Sequence, residues 1–150
     1  MSKTKIIFKH ALLITLLIGG FFFLSKLFGQ ENNPYLRFLN IVFVIVGIRQ
    51  AVKTSIENNN ETNYATNYGI AFGTSALGVI FSTIGVLIYV SLINPNFLNE
   101  LNNSFLIGGN LSIYELVFTL IIEGLASSIV GSLMVMQFFK NHQSKVQVTA

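Results

Sequence analysis

No charged side chain falls between Glu61 and Glu100, and the middle of that interval, Ile70 to Ile93, is almost wholly apolar or small. A helical run of that length, rising about 1.5 Å per residue, covers the roughly 30 Å hydrocarbon core of a bilayer. Three more apolar stretches occur, near Ala11 to Phe28, Tyr35 to Val52 and Ile113 to Phe139. The pattern predicts an all-α polytopic integral membrane protein with four transmembrane helices in a bundle, over about residues 6–28, 34–53, 68–93 and 113–139. At about 20 residues per span, four helices leave only short connections in 150 residues. A single domain over 1–150 follows. A water-soluble helical protein would need wide polar faces on its helices, and the third and fourth segments have none.

Polar residues mark the predicted boundaries. Lys3, Lys5 and Lys9 precede the first apolar stretch as in a secretory leader, but Leu27-Phe28-Gly29-Gln30 is a poor small-residue cleavage site, so a retained helix is expected. Asn33 and Pro34 suit the N-cap and first turn of the second helix. That helix is the weak span, with only Phe38 to Ile48 between Arg37 and Arg49. Lys53 to Asn67 is rich in Asn, Thr and Glu and predicts a mobile aqueous loop. The third helix is expected to start near Tyr68 and to stop at Asn94-Pro95, where proline cannot continue the ladder. In Asn96 to Ser112, Phe97, Leu98, Leu101, Phe105 and Leu106 recur at helical spacing, which fits either an interfacial helix or an ordered loop on the helix ends. Ser112 and Glu115 have the spacing of a capping box that opens the fourth helix.

Composition agrees with the pattern. The chain is 10% charged and 52% hydrophobic with a mean hydropathy of +0.65, against roughly 25% charged for a soluble domain. It has no cysteine, which excludes disulfides and thiolate chemistry. The net charge of +3 comes from basic residues at helix ends rather than a patch, so no nucleic-acid partner is expected. Basic residues resist translocation. With both termini inside, Lys3, Lys5, Lys9, Arg49, Lys53, Lys140 and Lys145 lie on one side and only Lys26 and Arg37 on the other. Both termini are therefore expected in the cytoplasm, in a cytoplasmic (inner) membrane. Lys26, near the far end of the first helix, has a stem long enough to reach the headgroups.

Two features carry candidate function. On the third helix Ala71, Ser75, Gly78, Ser82 and Gly85 form one stripe of small side chains at spacings of four and three, with Gly69 and Gly73 on a neighbouring face. Small residues let membrane helices approach closely. Gly124, Ser127, Ser128 and Gly131 make a matching surface on the fourth helix, and the two stripes are expected to meet. The stripes serve either packing inside the monomer or contact with a second copy or another membrane protein. The second feature is Glu123, about 15 Å from the start of the fourth helix. An ionised group at mid-membrane costs roughly 2.5 to 3.5 kcal/mol on insertion scales. Its phase, grouped with Gly124, Ser127 and Gly131, predicts that it points into the bundle, with Arg49 as preferred partner, Arg37 as second and Asn40 in the same network. Such a carboxyl either pins helices together or serves as a proton or cation site.

Other chemistry is poorly represented. His10 and His142 lie in basic flanking stretches without ligand spacing, so no metal or cofactor is expected. No base stands near a Ser nucleophile within the spans, and no enzyme activity is expected. The Phe21 to Phe23 run and Tyr35, Tyr64, Tyr68, Tyr89 and Tyr114 read as lipid-facing bulk and interfacial anchors. The expected role is that of a non-enzymatic membrane protein acting through helix packing, with a proton- or cation-linked transporter using Glu123 as the alternative.

Gly47-Ile-Arg closing the second helix, a polar stretch, and Tyr68-Gly-Ile-Ala-Phe-Gly running into a small-residue helix that ends Ile93-Asn-Pro carry a family resemblance. Over most of its length the chain resembles the DUF4199 family, small bacterial four-helix membrane proteins of unknown function. The resemblance implies a bacterial inner-membrane location and the same fold, and it brings no catalytic residues. Members of that family tend to have a longer, Glu- and Met-rich amphipathic segment between the third and fourth helices, where this chain has only Asn96 to Ser112.

Overall fold

The computed structural model describes residues 2–30, 35–99 and 111–140, the side chains of Arg37 and Phe38 excepted. It contains four long helices: α1 (Lys3–Leu27), α2 (Tyr35–Asn59), α3 (Tyr64–Ile88) and α4 (Ile113–Phe138). A π-helical turn over Tyr89–Ile93 extends α3. All four are long and apolar enough to cross a membrane. Asn33, the expected N-cap, and the greater part of Asn96–Ser112, expected as either an interfacial helix or an ordered loop, lie outside the described residues.

Helix α3 packs against α1, α2 and α4, and α2 also packs against α1 and α4. Side-chain pairs fix the directions. Ile14 of α1 lies against Gly78 of α3, and Ile7 lies against Gly73, so α1 and α3 run the same way. Ser75 of α3 meets Ser128 of α4, while Val79 meets Gly124, so these two are antiparallel. The core is narrow. One cluster joins Ile48 and Val52 of α2 to Ala71 of α3 and Val135 and Met136 of α4; another joins Ile6, Ala51 and Ile70. Many large apolar side chains face outward, among them Leu16, Phe23, Ile84 and Phe118, as a bundle solvated by lipid requires.

Two boundaries differ from expectation. Helix α2 does not stop near residue 53 but runs to Asn59. Its last turns are amphipathic: Ala51, Val52 and Ser55 are buried, whereas Lys53 and Glu57 face out and form an i,i+4 pair of 3.7 Å. The expected mobile loop from Lys53 to Asn67 is therefore a turn of only Asn60 to Asn63, with α3 starting at Tyr64 rather than near Tyr68. Asn60 takes a left-handed φ of 49°, which asparagine tolerates better than most residues. The Asn63 side chain caps α3 by accepting from the Thr66 N–H at 3.2 Å. Asn67, fully buried, donates to the Glu61 carbonyl at 2.9 Å, and Lys3 reaches the Glu61 carboxylate at 3.0 Å. Side-chain hydrogen bonds on both flanks order this corner.

Other signals agree with the structure. The capping box at α4 is present, with Ser112 N–H donating to Glu115 at 2.8 Å. Helix α3 ends at Asn94 before Pro95, and Asn94 N–H reaches back to the Tyr89 carbonyl at 2.9 Å, one residue further than an α-helix allows.

Candidate functional site

The small-residue stripes are used inside the bundle, though not as one continuous seam. Ala71 and Ser75 face the α2–α4 side: Ala71 belongs to the central cluster, and Ser75 donates a 2.7 Å hydrogen bond to Ser128. Gly78 instead faces α1, where an added Cβ would lie 3.2 Å from Ile14 Cγ2. Gly85 faces open space and is exposed, and Ser82 is half-buried with a buried hydroxyl that has no hydrogen-bond partner. On α4, Gly124 abuts Val79, Gly131 abuts Ile48, and Ser128 is buried, but Ser127 is exposed. The expectation that the two whole stripes meet is corrected accordingly: α3 has three neighbours and divides its small residues among them.

Glu123 is exposed, not turned into the bundle. The inward phase of α4 runs through Gly124, Ser128, Gly131, Ser132 and Val135, and a residue immediately before Gly124 lies about 100° away around the helix. Grouping Glu123 with Gly124 placed it one position out of phase. It engages another group within the chain, while its remaining surface looks outward. Below it on the same exposed face stand Ser127, Val130, Met134 and Gln137, a stripe at spacings of four and three.

Register also corrects the preferred partner. Gly131 lies against Ile48, and α2 and α4 run the same way, so an equal step back along each helix, from 131 to 123 and from 48 to 40, brings Glu123 level with Asn40. Arg49, exposed on α2, is then about 13 Å further along the bundle. Arg37 sits on the first turn of α2, about one turn beyond Asn40. Asn40 is half-buried.

Sequence reasoning missed two polar sites. His10 is buried at the α1–α2 contact, not in a flanking basic stretch: Nδ1 lies 2.8 Å from the Ile6 carbonyl, which can only accept, and Nε2 lies 3.4 Å from the Thr54 hydroxyl. Its amphipathic neighbours gave no sign of this, since Thr54 lay in the predicted loop. Tyr89 is 6% exposed rather than an outer anchor. Its ring packs edge-on against Phe22 and Phe97 at centroid distances of 5.2 Å each, and its hydroxyl accepts a 2.6 Å hydrogen bond from Lys26. The Lys26 ammonium lies 5.0 Å from the ring centroid, beyond the hydroxyl rather than above the face. The contact is a hydrogen bond, and Lys26 does not simply extend into the headgroups.

Four apolar spans, lipid-facing bulk and a narrow core define the class: a multi-pass, all-α membrane protein. No protein-family model, curated protein or solved structure matches the chain.

Proposed function

We propose that this is a non-enzymatic integral membrane protein that works by contact, presenting the outer stripe of α4 to a neighbouring helix from a second copy or another membrane protein. One observation carries the reading: Glu123, Ser127, Val130, Met134 and Gln137 share an exposed face within the span. A carboxyl group and a hydroxyl facing hydrocarbon are costly even when bonded on one side, and a partner helix that covers them removes part of that cost. The α3 stripe is not the contact surface in this reading, because its buried part is occupied by α1, α2 and α4. The count of basic residues supports cytoplasmic termini in an inner membrane, and the residues quoted above support kinship with the DUF4199 family.

The chain contains no cysteine, so single-cysteine probes have no background. Ser127→Cys and Met134→Cys are expected to cross-link in native membranes to a discrete species, and Leu16→Cys, on the outer face of α1, is not. Equal labelling at all three positions, or none at any, rejects the reading. A proton- or cation-linked transporter using Glu123 is the competing interpretation, supported by the carboxyl at mid-span. Flux in liposomes that disappears in a folded Glu123→Gln variant would favour it.

A further inference from the structure

We propose that the outer face of α1 binds an anionic phospholipid, with Lys5 and Lys9 on the phosphate and Phe8, Leu12 and Leu16 along an acyl chain. In the first half of α1 the buried residues are Ile6, His10, Ala11 and Ile14. The opposite side of the same turns carries Lys5, Lys9, Leu12 and Leu16, all exposed. Their spacings of four, three and four keep them on one helix face. At its start the side chains of Thr4, Lys5, Phe8 and Lys9 border a shallow recess of about 410 Å³. The Phe8 ring is 54% exposed and rests edge-on against Phe81 of α3 at 5.6 Å, which holds it beside the two lysines.

Both ammonium groups are available to a ligand. The acids described at this end of the bundle are committed to other lysines, Glu61 to Lys3 at 3.0 Å and Glu57 to Lys53 at 3.7 Å. Helix α1 itself has no acidic residue, and its dipole places the positive end at the same turns. Two cations one turn apart suit a headgroup of net negative charge, whereas a zwitterionic headgroup brings a cation of its own to them. The Thr4 hydroxyl adds a neutral donor. The apolar part of the face fits the same ligand. From Lys5 to Leu16 the helix rises about 16 Å, close to the depth of one leaflet in a hydrocarbon core of roughly 30 Å.

The test uses the full chain in detergent micelles, titrated separately with long-chain phosphatidylglycerol and phosphatidylcholine and read by native mass spectrometry. Wild type is expected to hold phosphatidylglycerol in preference to phosphatidylcholine. Lys5→Gln and Lys9→Gln should each weaken phosphatidylglycerol binding about fivefold, and the double variant about twenty-fivefold, as for lysines beside an anionic surface. Phosphatidylcholine binding should not change. The control Arg49→Gln/Lys140→Gln removes the same charge from exposed positions on α2 and just beyond α4, and it should leave phosphatidylglycerol binding as in wild type. Equal affinity in wild type and the Lys5→Gln/Lys9→Gln variant overturns the proposal, and so does an equal loss in the control, which would reflect net charge alone. A dimer or a co-purifying protein that disappears in that variant, with lipid binding unchanged, also overturns it, because a protein then covers this face. The single variants carry the test if the double one fails to fold.

Discussion

Ser75 donates its hydroxyl proton to Ser128 at 2.7 Å, and Ser128 passes its own to the carbonyl of Gly124, also at 2.7 Å. This short directed chain crosses the α3–α4 contact with both side chains buried. One turn along α4, the hydroxyl of Ser132 is equally buried and has no partner.

The two serines on α4 should respond oppositely to removal of the hydroxyl. Interhelical hydrogen bonds in membranes contribute about 0.6 kcal/mol on average, so Ser75→Ala and Ser128→Ala are expected to destabilise by about that much, non-additively in the double variant. Ser132→Ala should be neutral or stabilising, because it removes a buried polar group that has no bond to lose. Unfolding in mixed micelles measures all four variants. A loss at Ser132 matching that at Ser128 contradicts the assignment.

Glycine positions divide in the same way. An added methyl at Gly124 would collide with Val79, whose β-branched side chain has little rotamer freedom to yield. Gly124→Ala is expected to cost about 1–3 kcal/mol. At Gly85 nothing lies within 4 Å, and alanine is the better helix former, so Gly85→Ala should leave thermal stability unchanged or raised. The reverse order of melting temperatures would mean that Gly85 is covered by another molecule.

The corner between α2 and α3 predicts an acid-dependent loss of stability. The Lys3 ammonium and the Asn63 N–H both bond the Glu61 carboxylate and hold its pKa below the ordinary value of 4.5. A lowered folded-state pKa means that the folded protein binds this proton less readily than the unfolded chain. The stabilisation is therefore complete above 4.5 and is lost as pH falls from there through the folded value. Lys3 is exposed, so the pair contributes at most about 1 kcal/mol. The melting-temperature difference between wild type and Glu61→Gln should be present at pH 7 and vanish in strong acid, and a difference independent of pH would remove Glu61 as its source.

The number and class of the helices were legible because hydropathy over a span is a sum, insensitive to which face each residue occupies. Ser112 and Glu115 were legible as well, since a capping box depends only on residues three apart. Phase and neighbours were not. Glu123, Gly124 and Ser127 lie within five positions, and hydropathy alone does not say which of them faces α3. Gly78 and Ser75 belong to one stripe but touch different helices. The end of α2 was hidden because Lys53 and Glu57 look like loop residues until Ala51, Val52 and Ser55 are seen to pack beneath them.

The central place of α3 has a consequence for assembly. A ribosome delivers α1 and α2 first, and until the third segment enters the membrane neither has met the neighbour they hold in common. The mature arrangement of the first hairpin is thus completed from behind, and α4 arrives last on a surface that is already built.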